Sequence, residues 1–496
     1  MPRLRLSSGI AGAASAAALS GACLALAFPE PGLAGLAFVA PAVLIVLLHG
    51  ASVRRGAALG AAFGLGFFGL LLYWISVVGY VAYTLLVALQ ACFFALFGAL
   101  YARAARAPRA LALLAAPALW VTVEFLRTYF PLGGFPWGQL AQSQHDLEHL
   151  LRPARFAGGW AVSFIVVAAG TALAGAWAHR REPRRALAAL ALAAALFAVP
   201  AALPAATAGG RALRVAIVQG NVPLDFQGSS FDKDLAILAS HVRLTESLRG
   251  RNVDLVVWPE SSVGIDHERY PAVAEAMARA ARAAGAPLIV GGNLDLPGDR
   301  YKVMAFLVSP TGEVVDRYQK THLVPFGEYV PGRRLLSWIP MLEQVPRDAV
   351  AAADPVVFDI DGAPVATVIS FEGDFGPLVR RRVGEGARLV VVATNTSTWL
   401  YTWASAQHLA FSEVRAAENG TWVVHAALSG ISGFVRPDGT VTQSSELYEP
   451  AVLVQDLRLS EGATFYARTG EWFPWSCLAL SLAALIAAGR RGSVTA

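Results

Sequence analysis

Three side chains of complementary chemistry each stand just behind a short, β-branched run. Glu260 ends such a run in VDLVVWPES, Lys320 in VVDRYQKTHLVPFGEYVP and Ser370 in PVATVISFEG. Ligands of open α/β sheets gather at the carboxyl ends of strands. Neighbouring strands would therefore bring a carboxylate, an ammonium and a hydroxyl to one edge. That set can carry acyl transfer. A partly desolvated carboxylate takes the proton of an attacking group, an ammonium stabilises the oxyanion of a tetrahedral intermediate, and the third group attacks the acyl carbon. Each residue alone has an ordinary reading: Glu260 as a cap, Lys320 as a solvated strand end, Ser370 as a turn hydroxyl. Their order, separation and dense local motifs favour the chemical reading.

The elements that must position them lie between residues 211 and 468. Strand-like runs are expected at 213–219, 253–258, 287–292, 303–309, 314–319, 364–369, 389–394 and 421–426. Amphipathic helices are expected at 233–249, 271–284, 375–382 and 404–418. Apolar strands alternating with helices indicate an α/β sandwich. The stretch AALPAATAGG, 201–210, reads as a linker of small residues without a period.

The rest of the chain differs in kind. The 496 residues are 55% hydrophobic and 15% charged, against about 25% charged in soluble domains. Seven apolar segments near 10–28, 32–48, 56–76, 80–100, 110–125, 158–178 and 186–200, and an eighth near 472–488, approach the roughly 20 residues a helix needs to cross a bilayer. The expectation is an eight-helix membrane bundle: residues 1–200 as a seven-helix domain, 469–496 as a last helix and tail, and 211–468 as a separate α/β domain. The first segment reads as a retained span, because similar segments follow it. Arg3, Arg5, Arg54, Arg55, Arg103, Arg106, Arg109, Arg180, Arg181, Arg184, Arg185, Arg490 and Arg491 fall in alternate connections or at the ends. The excess of Lys and Arg in cytoplasmic loops places those segments inside and the α/β domain outside, with the loop 127–155 outside despite Arg127, Arg152 and Arg155. The net charge of +5 is thereby explained by orientation in a bilayer, not by nucleic acid. Glu124 and Arg127, three residues apart near the outer end of the fifth span, could pair with each other or meet a headgroup. Cys23, Cys92 and Cys477 all lie in apolar stretches and read as buried thiols, forming neither a disulfide framework nor a metal cluster. His322 and His425 lack metal-ligand spacing.

With VVWPES around Glu260, YQKTHLVPFGEYVP around Lys320, the strand ending at Ser370, QGN at 219–221 and QHLAFSEVRAAENG at 407–420, the chain resembles the apolipoprotein N-acyltransferases. These are the membrane branch of the nitrilase, or carbon–nitrogen hydrolase, superfamily. The resemblance implies a nitrilase-like αββα sandwich outside the cytoplasm, with Glu260 as general base and Lys320 as charge stabiliser. Glu328 and Glu372 match acidic positions that support the site. The family nucleophile is cysteine, and Ser370 stands in its place. Phe371 stands where an aromatic residue is usual. TNTSTW keeps Asn395 and lacks the acid that follows it in the family. The implied reaction is ping-pong. An acyl chain from a phospholipid passes to the nucleophile, then to the α-amine of an S-diacylglyceryl cysteine on a lipoprotein, in the bacterial cytoplasmic (inner) membrane. No cofactor, metal or nucleic acid is implied.

Serine changes the chemistry. A thiol has a reference pKa near 8.5, whereas a hydroxyl stays protonated near neutrality and needs a base during attack. Turnover through Ser370 is therefore expected to be impaired. An exchanged residue, slow turnover through oxygen and loss of the chemistry all fit the sequence. RRLLSWIPMLEQVP, with Leu335, Leu336 and Trp338, and TSTWLYTWA, with Trp399 and Trp403, are too apolar for ordinary exposed loops. They read as lipid-access loops or as segments packed on the domain. Two other functions fit the same residues: a membrane-anchored amidase, or a non-catalytic homologue that binds lipid or lipoprotein.

Overall fold

Every expected strand forms, and each sorts its side chains onto two faces, as the twofold period of a strand requires. The computed structural model describes residues 10–336 and 338–494. Arg3 and Arg5 lie outside the described residues. The chain divides into two units, one of residues up to Ala205 together with those from Thr469, the other Ala206–Arg468.

In the second unit the strands are β1 (Ala212–Gln219), β2 (Leu255–Val257), β3 (Leu288–Leu296), β4 (Arg300–Val308), β5 (Val314–Gln319), β6 (Asp348–Ala349), β7 (Val357–Ile360), β8 (Ala363–Ile369), β9 (Leu389–Thr394), β10 (Val423–Ala427), β11 (Gly433–Val435), β12 (Val441–Ser444) and β13 (Ala451–Arg458). They form two sheets, ordered β13-β1-β2-β3-β4-β5, with β6 on β4, and β12-β11-β10-β9-β8-β7. β1, β2 and β3 are parallel, as are β8, β9 and β10. Parallel neighbours need crossovers, and the helices Ser230–Glu246, Pro271–Ala284, Gly376–Gly384 and Ala404–Asn419 supply them. β5 runs antiparallel to β4, which runs antiparallel to β3, so β5 points the same way as β2.

The layers follow from the alternation. Val215, Ile217, Leu255, Val257 and Ile289 on the first sheet pack against Val365, Ile369, Val391 and Ala393 on the second. The opposite faces take the helices. Val256 and Val290 meet Leu238, Val242 and Met277, while Val390 and Val392 meet Val379, Val383 and Leu409. The unit is a four-layer αββα sandwich, as expected. β6, β7 and β11–β13 were not expected from the sequence.

The first unit has a helix at each expected apolar segment: Ile10–Ala25, Leu36–Leu48, Val53–Leu71, Tyr80–Ala104, Arg109–Tyr129, Gly159–Ala178, Pro183–Ala198 and Trp472–Val494. Among the described residues, five helical stretches are long and apolar enough to cross a membrane, including Tyr80–Ala104 and Trp472–Arg491, whereas Ala11–Ala25 and Leu36–Leu48 are shorter. Gly56, Gly60 and Gly64 recur every fourth residue along one face of Val53–Leu71. A Cβ at Gly60 would overlap the carbonyl of Phe94, and one at Gly56 that of Gly98. Small residues let helix backbones approach closely where no water drives association.

One expectation changes. Cys23 and Cys92 are exposed on their helices, and only Cys477 of the three is buried, because a helix in lipid can present apolar residues outward. Glu124 and Arg127 are buried, with 2% and 1% exposure. Glu124 Oε1 accepts from Trp120 Nε1 at 3.0 Å and from the amide of Leu140 at 2.9 Å. Arg127 Nη1 donates to the carbonyls of Phe135 and Trp137 at 3.0 and 2.5 Å. The two residues tether the segment after their helix, which is the structural reading of the pair.

Candidate active site

Glu260, Lys320 and Ser370 each follow a strand that points to the same edge, the first two from one sheet and the third from the other. Lys320 is fully buried, and Glu260 is 8% exposed. Lys320 Nζ lies 3.3 Å from Glu260 Oε1 and 2.5 Å from Glu328 Oε1. The loop after Lys320 doubles back to deliver Glu328. Its amide donates to the carbonyl of Val324 at 2.9 Å, and Glu328 Oε2 accepts from the amide of Val324 at 2.7 Å. The other oxygen of Glu260 accepts from the backbone amide of Asn395 at 2.9 Å. Asn395 follows β9, so the second sheet holds the carboxylate of the first.

The electrostatics follow from burial. Burial opposes the ammonium of Lys320, but Glu328 and Glu260 outweigh it, so the pKa of Lys320 lies above its ordinary value. Burial raises the pKa of Glu260, with Lys320 lowering it and Glu328 raising it further. Glu260 is thus a carboxylate with a strengthened appetite for a proton, beside a permanent cation.

Ser370 opens a single 3-10 turn, Ser370–Asp374, and its φ is +51°. Left-handed backbone is uncommon outside glycine and marks a conformation that its surroundings enforce. Glu372 does the enforcing. Fully buried, it accepts from the amide of Ile369 at 2.8 Å, from the Tyr318 hydroxyl at 2.7 Å, and from the Thr321 and His322 amides at 2.8 and 3.1 Å. It therefore ties the turn that carries Ser370 to the loop that carries Lys320. Ser370 Oγ accepts from Thr394 Oγ1 at 3.3 Å. Beneath the turn, His408 Nε2 stands 3.3 Å from Asp374 Oδ1. Burial lowers the pKa of His408 to about 4, helped by the charge of Lys320, and burial raises that of Asp374 well above the carboxylate range.

Thr394, Asp374 and His408 were not singled out in the sequence. A threonine ending LVVVAT looks like ordinary strand composition, and nothing local ties it to Ser370. The two apolar loops behave differently along their length. Leu335 and Trp338 are 80% and 76% exposed, while Leu336, Trp399 and Trp403 are half-buried. Leu400 and Tyr401 extend the exposed apolar surface of the second loop. The base of the first loop is clasped by Arg333, whose Nη2 and Nε donate to Asp348 at 2.6 and 2.9 Å.

The apolipoprotein N-acyltransferase N-terminal domain family matches residues 20–172, and the carbon-nitrogen hydrolase family matches residues 214–466. The chain is 31% identical to an apolipoprotein N-acyltransferase of Geobacter metallireducens over 499 residues, covering 96% of this chain and 95% of that protein. An apolipoprotein N-acyltransferase of Pseudomonas putida is also 31% identical, over 92% of each chain. Among solved structures, an amidase from Nesterenkonia sp. aligns with 52% of this chain and 92% of its own, at 21% identity and a TM-score of 0.38.

Glu372→Ala leaves at least three backbone or hydroxyl donors without their acceptor. It is expected to destabilise the protein by roughly 3–5 kcal/mol, the usual result of breaking a buried charged network. Thermal unfolding in detergent checks this, and an unchanged midpoint would remove Glu372 from the role of clamp.

Proposed function

The chain belongs to the apolipoprotein N-acyltransferase family, and from that premise we propose that it moves an acyl chain from a phospholipid, through Ser370, to the N-terminal amine of an S-diacylglyceryl lipoprotein. The observation that carries this reading is the edge of the sandwich where buried Glu260 and Lys320 meet the half-buried Glu328, in a chain that also matches the N-terminal domain of the transferases.

In the first half-reaction Ser370 Oγ attacks the ester carbonyl of the phospholipid. Its proton passes to Glu260, whose raised pKa suits that task. Lys320 faces the developing oxyanion with a charge that persists at any working pH. The donor C–O bond breaks, and the departing alkoxide takes the proton back from Glu260. In the second half-reaction the lipoprotein amine attacks the acyl-serine ester by the same route. Glu328 holds Lys320 in place, and Glu372 holds the turn.

Both substrates are lipids, which accounts for a catalytic domain, 211–468, carried by apolar helices before and after it. We assign eight spans from the apolar segments, a bacterial inner-membrane location from the family, and an extracytoplasmic face for this domain from the arginine distribution. The exposed Leu335 and Trp338 and the half-buried Leu336, Trp399 and Trp403 are assigned to the entry for acyl chains. Aromatic and apolar side chains of this kind favour the membrane interface.

The mass of a lipoprotein N-terminus, with and without this protein, tests the assignment. One added acyl chain supports it. An unchanged terminus with tight lipoprotein binding supports a non-catalytic binder, and amide hydrolysis without transfer supports an amidase. Ser370→Cys is expected to raise the transfer rate by about tenfold or more, since thiolate is the better nucleophile and leaving group; an unchanged rate would remove Ser370 from the attacking position. Because only ionised Glu260 accepts a proton, and its pKa lies above the ordinary 4.5, kcat/KM should fall with decreasing pH while still above pH 4.5. A profile flat down to pH 4 would exclude Glu260 as base. Trp338→Asp should raise the KM for phospholipid by roughly tenfold, as lost apolar contact would, with kcat little altered; unchanged donor use would remove the loop from lipid entry.

A further inference from the structure

We infer that Thr394 is a further catalytic residue of this chain: its hydroxyl steadies the oxygen of Ser370 as it attacks, and stabilises the same oxygen as it leaves. The inference rests on the acyl-transfer reading above and deepens it.

Thr394 ends β9 with no exposure to solvent. Its backbone is fixed by β10, opposite Ala427, and its carbonyl accepts from the amide of Leu428 at 3.0 Å. From this fixed point its Oγ1 donates to Ser370 Oγ at 3.3 Å. The next residue, Asn395, donates its amide to Glu260 at 2.9 Å. One strand end therefore touches both the attacking atom and the carboxylate that takes its proton. Neither can drift from the other without distorting β9. Threonine suits the post, since its branched Cβ restricts the rotation that aims the hydroxyl.

The hydrogen bond also sorts the proton. A serine hydroxyl has one hydrogen and two lone pairs. Thr394 occupies one lone pair, which leaves the hydrogen free to turn to Glu260 and the other pair free to attack. In the second half-reaction the amine forms the C–N bond and gives a proton to Glu260. The C–Oγ bond then breaks with its electron pair on Oγ, and Glu260 returns the proton there. Thr394 keeps its own hydrogen throughout. An alkoxide is a far poorer leaving group than a thiolate, so a donor already on the departing atom matters more for serine than for cysteine.

The test uses the full-length protein in phospholipid vesicles, with an S-diacylglyceryl-cysteine peptide as acceptor. Intact-protein mass follows acyl-enzyme formation and its discharge by the peptide. Thr394→Val keeps the shape and removes the donor. It should slow discharge roughly 10- to 100-fold, the range for a hydrogen bond to a charged atom, and Thr394→Ser should restore most of the rate. In the Ser370→Cys protein the loss from Thr394→Val should be at least roughly tenfold smaller. An equal loss in both backgrounds would reveal a structural role and overturn the inference, as would no loss with Ser370. If only the Ser370→Cys protein forms an acyl-enzyme, transfer through Ser370 fails and the inference with it; if the Ser370 protein forms and discharges its acyl-enzyme at the same rate with Thr394→Val, the inference alone fails and the proposed function stands. If neither protein forms one, both fail.

Discussion

The ammonium of Lys320, closed off from water between Glu260 and Glu328, is the constraint around which the sandwich is organised. A buried cation without a partner is penalised by several kcal/mol, so the ends of β2 and β5 and the loop that returns Glu328 must come together or the fold suffers. Two carboxylates share this one cation. The surplus of negative charge, added to burial, is what leaves Glu260 reluctant to stay ionised. Lys320 is tolerable in the interior because both carboxylates face it, and Glu260 keeps a raised pKa because burial and Glu328 outweigh the opposing pull of Lys320. The second sheet completes the arrangement, through the Asn395 amide on Glu260 and the Thr394 hydroxyl on Ser370.

Glu372 has a different task at the same edge. It spends both oxygens on donors from the two loops that carry Lys320 and Ser370. This explains how a serine can sit at φ +51°.

Much of this was legible in the sequence because it is written locally. Continuous β-branched runs such as LRVAIVQ and LVVVAT can only be buried strands when helices flank them, and all eight expected runs are strands. Glu260, Lys320 and Ser370 were marked by their place behind such runs, and Glu328 and Glu372 by family resemblance. The rest depends on pairing at a distance. β12 and β13 are polar or half-exposed along their length, and only their neighbours make them strands. Thr394 reaches Ser370 across 24 residues, and Asn395 reaches Glu260 across 135, so no local pattern announces either contact. The burial of Glu124 and Arg127 was likewise hidden, since it depends on backbone groups of the following segment, the Leu140 amide and the Phe135 and Trp137 carbonyls.

The account turns on Ser370 as the atom that carries the acyl chain. Incubation with a phospholipid bearing an isotope-labelled acyl chain, followed by peptide mapping, measures this directly. The account predicts the label in ester linkage on the peptide containing Ser370, and its loss in Glu260→Gln and Lys320→Met proteins that remain folded. Label on another residue, or a lipoprotein acylated with no label ever found on the protein, would contradict it.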